Sequence, residues 1–191
     1  TRDGIKNVIY MPHAVEPGTL PGPGGNRITC YDYLPSIKKY DLCFVGHINS
    51  ENRIAALDRM FKEFPNFFYG QRLFWQAAEK FCRSKIIFNI AIKDDLNMRT
   101  FEALSTKSFL LTSWVPDLDE HFKDGIHLVT YRTLDEAVEK AKYYLAHDDE
   151  REKIAEAGFQ EVRAKHTFRH RAEQILRETG LWSKLETPEL A

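Results

Sequence analysis

Asp41-Leu42-Cys43-Phe44-Val45-Gly46 is an unbroken apolar run closed by glycine. Strands with one wet face alternate apolar and polar residues, so a run without alternation is expected where helices cover a sheet on both faces. The residues after it support that placement. Ile54, Leu57, Phe61 and Phe64 recur at helical spacing until Pro65, Asn66 to Gly70 reads as a short strand, and Leu73 to Ser84 reads as a second helix. Lys85 to Ile92 is the next apolar strand, and Phe109 to Ser113 the one after it. A short helix is expected over Asp117 to Lys123, ended by Gly125, and a strand over Ile126 to Tyr131. Thr133-Leu134-Asp135-Glu136 has capping-box form, and Leu134, Ala137, Val138, Ala141 and Leu145 make one apolar stripe behind it. Asp149 to Glu152 repeats the capping pattern ahead of Ile154, Gly158 and Val162, and Phe168 to Thr179 supplies a last helix closed by Gly180. Strand and helix alternate, so the expected fold is α/β: a doubly wound, mostly parallel sheet of five or six strands with C-terminal helices.

The chain's beginning has a different character. Lys6 to Met11 is a short strand candidate, and Pro17 to Gly25 is a Pro/Gly segment that suits a linker. A strand that leads at once into a linker fits the end of another domain, so an N-terminal half is expected to be missing. The boundaries read from sequence are 1–25 for that remnant and linker, 26–165 for the α/β domain, and 166–191 for the last helix and tail.

Composition removes several function classes. The net charge of −1 offers no global field for nucleic acid or an anionic membrane, so any phosphate recognition is expected to be local. Cys30, Cys43 and Cys82 are odd in number and lack metal-ligand spacing, which argues against a disulfide framework or structural zinc and for a reducing, cytoplasmic setting. No apolar run approaches the roughly 20 residues that span a bilayer. The chain starts at Thr1 without a basic-then-apolar leader, so no signal peptide is expected.

Ligands in a doubly wound sheet sit outside the carboxyl ends of the strands. Gly46 to Arg53 follows the first strand, where glycine permits close approach and Arg53 can add a charge-assisted bond; the alternative is a plain turn and a solvated arginine. No GxGxxG or P-loop glycine pattern is present. The run Asp94-Asp95-Leu96-Asn97-Met98-Arg99-Thr100-Phe101-Glu102 is richer. Asn97 suits an N-cap, leaving the amides of Met98, Arg99 and Thr100 open to an anion. Arg99 and Glu102 share a helical face, either as phosphate and diol ligands or as a surface ion pair worth about 0.2–1 kcal/mol. Asp94 and Asp95 are adjacent and so alternate sides, which disfavours a shared divalent metal. The histidines lack HExxH spacing.

Three further patterns occur in order: Asn97-Met98-Arg99-Thr100-Phe101-Glu102-Ala103-Leu104, then Phe109-Leu110-Leu111-Thr112, then His166-Thr167-Phe168-Arg169-His170-Arg171. Together they resemble the C-terminal domain of CgeB-like, "group 1" glycosyltransferases of the GT-B fold, over roughly Asp41 to Leu176. Asp94 and Glu102 match that fold's two acids, which are separated by seven residues. The resemblance implies a Rossmann-like domain that binds a nucleotide diphosphate sugar as donor, an unknown acceptor, a retaining outcome, and no required metal or cofactor. It implies Asp94 and Glu102 as catalytic residues, with Asp94 toward the sugar and Glu102 on the ribose. Asn97 and Arg99 are implied in donor binding, as is Arg53 or else His47 as the basic group after the first strand beside Gly46, with Tyr69 and Asn89 lining the base and sugar pockets. The His166 to Arg171 pattern is read as pinning the last helix. Two departures stand out: Asp94-Asp95-Leu96-Asn97 replaces an acidic-Gly-x-Gly loop, and Lys107 replaces a glycine. Both are expected to reduce close backbone approach to phosphate. A domain that keeps the fold without donor chemistry, serving nucleotide binding or protein interaction, is the alternative.

Overall fold

A computed structural model describes residues 9–182 apart from 16–18, 22–26, 30, 32, 73–74 and 92–94. Lys6 to Val8 of the expected strand and much of the Pro/Gly segment lie outside the described residues, and Ile9 to Met11 are not in a strand. The rest of that segment is not plain linker: β1 (Thr19–Pro21) pairs antiparallel with β2 (Arg27–Thr29).

The main sheet is built from β3 (Tyr40–Val45), β4 (Phe67–Gly70), β5 (Ser84–Asn89), β6 (Phe109–Ser113) and β7 (Val129–Tyr131). All of its pairings are parallel, in the order β4-β3-β5-β6-β7. The helices between strands are α1 (Glu51–Glu63), α2 (Trp75–Cys82), α3 (Met98–Ser105) and α4 (Leu118–His121), followed by α5 (Leu134–Ala146), α6 (Asp148–Lys165) and α7 (Phe168–Glu178). The unbroken apolar strands are explained by two separate apolar layers. Cys43, Val45, Ile87 and Leu110 face one layer with Phe81, Phe101, Leu104 and Val162. Leu42, Phe44, Ile86, Phe88 and Leu111 face the other with Leu57, Met60, Ala137 and Val138. Successive strand residues point to opposite faces, so both sets must be apolar.

Helix α1 corrects the expected stripe. Leu57 and Phe64 are buried, but Ile54 and Phe61 are 45% and 47% exposed, and the face against the sheet is Arg53, Ala56, Leu57 and Met60. Ser50 caps this helix on the Arg53 amide. Thr133 caps α5 on the Glu136 amide as expected, with Leu134 and Leu145 packed at the margins of the core. The capping pattern at Asp149 is not used: α6 starts one residue earlier, and Asp148 instead takes an ion pair from buried Arg151 at 2.6 Å. Ile154, Gly158 and Val162 do share the buried face.

Helix α7 is pinned by its first residues. Thr167 and His170 form a reciprocal capping box. The Arg171 guanidinium donates to the carbonyls of Pro12, His13 and Lys165 and to His166 Nδ1. Backbone bonds from Val15 to His166 and from Phe168 to Val15 complete the junction. Because Arg171 donates to Nδ1, the buried His166 ring is neutral, and its Nε2 has no hydrogen-bond partner. Burial first, then the charge of Arg171 and of His121, pushes the His166 pKa down to about 4. The unfolded chain therefore binds the proton more readily, and stability is full above about pH 6.5 and declines as pH falls toward 4. On the order of 2 kcal/mol should be lost across that window. Thermal melts of the wild type should show the decline, and His166→Phe should flatten it; an equally steep profile in the variant would assign the loss to other groups.

Candidate functional site

Strand β3 has β4 on one side and β5 on the other, so the chain reverses direction of travel across the sheet there. Such a switch point leaves a crevice at the carboxyl ends of the strands. A cavity of about 350 Å³ occupies it, lined by residues after β3 (Gly46, His47, Arg53), by Asn89 at the end of β5, and by Asp95, Asn97, Met98, Arg99 and Glu102 around the start of α3. A second space of about 350 Å³ adjoins it toward β4, sharing Gly46, His47 and Arg99 and adding Gln71, Arg72 and Gln76.

Glu102 is 6% exposed, so the alternative of a surface pair with Arg99 does not apply. Arg99 Nη1 lies 2.5 Å from Glu102 Oε2, yet neither atom has a directed hydrogen bond. A carboxylate has more acceptor positions than this one ion pair uses, and at a cavity wall the remaining ones suit hydroxyl donors from a ligand. The Arg99 guanidinium lies over the Phe81 ring.

Asn97 occupies the N-cap position of α3, but its side chain makes no cap bond. Its Oδ1 instead takes a 3.4 Å bond from Asn89 Nδ2, which also donates to Thr112 Oγ1 at 2.9 Å. The Asn89 carbonyl accepts from the Tyr131 hydroxyl. This network fixes the floor of the crevice and leaves the first amides of α3 without a side-chain cap, facing the cavity with the positive end of the helix.

Arg53 is 7% exposed and turns away from a solvated role: Nη1 donates to the His47 carbonyl and Nη2 to the Ile90 carbonyl, both at 2.8 Å. Burial pulls its pKa below the usual arginine value. Tyr69 is half exposed, meets Phe61 and Phe67 edge-on or tilted, and lies outside the lining of both spaces. Asp94 lies outside the described residues. Lys107 has φ 54° at the far end of α3 and pairs with Glu156, so the glycine expected there serves a left-handed helix exit, not ligand approach. Gln71, Arg72 and Gln76 belong to no motif, and nothing in the sequence marks them as neighbours of the crevice.

The model of a family described as glycosyl transferase-like matches residues 48–177. No curated protein matches the chain in sequence. Among solved structures, a mutant of S. aureus TarM in complex with fondaparinux, alpha-GlcNAc-glycerol and UDP aligns at TM-score 0.60 and 9% identity, over 79% of this chain and 38% of that one. The C-terminal domain of the glycosyl transferase group 1 family protein LpcC from Francisella tularensis aligns at TM-score 0.54 and 11% identity, over 69% of this chain and 88% of that one. Pneumococcal O-GlcNAc transferase GtfA in complex with UDP and GlcNAc aligns at TM-score 0.52 and 10% identity, over 80% of this chain and 38% of that one. The fold is therefore that of GT-B glycosyltransferase C-terminal domains, and the chain spans 38% of the TarM and GtfA chains. Among the described residues, no helix is long and apolar enough to cross a membrane.

Proposed function

The chain belongs to the glycosyl transferase-like family, and from that premise we propose that it is the donor-binding C-terminal half of a CgeB-like GT-B glycosyltransferase. The whole enzyme would move a sugar from a nucleotide diphosphate to an acceptor, with retention at the anomeric carbon. The observation that carries the donor reading is Glu102: a buried carboxylate, paired with Arg99, that lines the switch-point crevice. In this reading its two oxygens accept from the ribose diol, the task for which a carboxylate has the right pair of acceptors. The uncapped start of α3, with Asn97 and Arg99, holds the diphosphate, and Asp94 is assigned to the transferred sugar. The complexes of TarM and GtfA with UDP support a nucleotide of this class. The odd number and wide spacing of Cys30, Cys43 and Cys82 support a cytoplasmic location.

The chemistry is positioning and charge stabilisation. As the sugar leaves, negative charge grows on the diphosphate, which in this reading the helix amides and Arg99 stabilise, so this reading requires no metal. Residues 1–25 are assigned to the exit from an N-terminal domain, and the cleft completed by that domain is needed for turnover. Calorimetric titration of the chain with UDP, GDP and their sugars tests the reading. Binding of one nucleotide series is expected, with little or no transfer by this chain alone. Absence of all binding would instead favour a domain that keeps the fold without donor chemistry, and transfer at an ordinary enzymatic rate would refute the half-enzyme assignment.

A further inference from the structure

Arg53 is buried without a carboxylate partner among the described residues. Its two terminal nitrogens are committed to carbonyls that follow different strands: His47 after β3 and Ile90 after β5. These two strands are parallel neighbours, and the connections that leave them run to opposite sides at the switch point. The guanidinium also lies over the Phe44 ring, 5.4 Å from its centre, and Nε has no partner. On one side it lines the cavity that holds Glu102. On the other, Ile90 lines a separate space of about 420 Å³ with Asn52, Trp114 and Arg132. A planar fork that spans carbonyls from two different strands fixes their spacing in a way that a single point charge does not.

We propose that Arg53 is a positioning residue: it clamps the loops after β3 and β5 so that the crevice keeps the width its ligand needs, and it acts through those loops without gripping phosphate. The assignment rests on the donor-binding reading for what the crevice holds, but the clamp itself is independent of it. The clamp also accounts for a costly feature. A buried cation without an acid is destabilising unless carbonyl dipoles and an aromatic face surround it, and those are the neighbours found. Replacing it with a neutral chain of similar length would release both loops while leaving the strands in place.

Hydrogen exchange on the full 191-residue chain, compared with Arg53→Lys and Arg53→Met, tests the clamp without any ligand. Amides at 46–49 and at 90–91 are expected to exchange at least tenfold faster in both variants, with β6 amides unchanged. Binding supplies the second readout, using whichever of UDP or GDP the wild type takes and the matching nucleoside. Arg53→Met should weaken nucleotide and nucleoside by the same factor, about tenfold, and Arg53→Lys should not restore either. A loss confined to the diphosphate and rescued by lysine would make Arg53 a phosphate ligand and overturn the proposal, as would unchanged loop exchange in both variants. Should the wild type bind neither nucleotide, the donor-binding reading falls and the exchange result still decides the clamp. Arg53→Lys keeps most of the packing and provides the test if Arg53→Met does not fold.

Discussion

Glu102→Ala is expected to weaken nucleotide binding by about ten- to a hundredfold, the scale of about 1.5–3 kcal/mol for a hydrogen bond to a charged group. The effect is large because two losses coincide. On the proposed donor reading the ribose diol loses its acceptor pair, and Arg99, whose side chain is 19% exposed, loses its only ion-pair partner among the described residues. A stranded, mostly buried guanidinium is costly by itself, so a melt must accompany the titration. Glu102→Gln separates the two losses. It keeps one accepting oxygen and nearly the same volume, and should retain intermediate affinity. Equal nucleotide affinity in wild type and Glu102→Ala, measured on folded protein, would remove Glu102 from the site.

The second large effect concerns the scaffold. A Cβ added at Gly158 would lie 2.2 Å from the His127 carbonyl oxygen and 2.7 Å from Leu104 Cδ2. The first neighbour is backbone and cannot rotate away. To accept even alanine, α6 must withdraw from α3 and from the turn before β7, and it would pull Ile154, Ala155 and Val162 out of both apolar layers. Gly158→Ala should therefore destabilise by about 3 kcal/mol or more, at the upper end of overpacking costs. For a chain of this size that is a fall in melting temperature of about 6–12 °C. A melting temperature within 1 °C of wild type would mean that α6 is free to slide.

The sheet is legible in the sequence because its cause is local. Strands covered on both faces must be apolar at every position, and that pattern survives in Leu42 to Val45 and in Ile86 to Phe88. The parallel order and the five flanked strands then match those of the GT-B C-terminal domains. The inner face of α1 is not legible, because its largest apolar residues, Ile54 and Phe61, lie on the outer side. The face against the sheet contains an arginine, which spacing cannot identify as buried. Asn97 shows the same limit: its place at the helix start is readable, but its turn toward Asn89 depends on a partner from another strand. Lys107 departs from expectation for a different reason. The glycine position it occupies has no part in ligand approach, since the backbone there only leaves the helix through a left-handed turn. The location of Tyr69 on the α1 side depends on which face of a short edge strand it takes, and four residues do not settle that from sequence.

Much of the crevice rim at the carboxyl edge of the sheet lies outside both apolar layers, and this separates what can vary from what the fold must keep. His47, Gln71, Arg72, Gln76, Asp95 and Met98 line the crevice and its extension, are exposed, and contribute nothing to either layer. Exchanges at such positions cost the fold about half a kcal/mol or less. Substitutions at those six positions can therefore reshape the crevice at little cost to the fold, while Asn89 and Glu102, buried beneath them, are held by it.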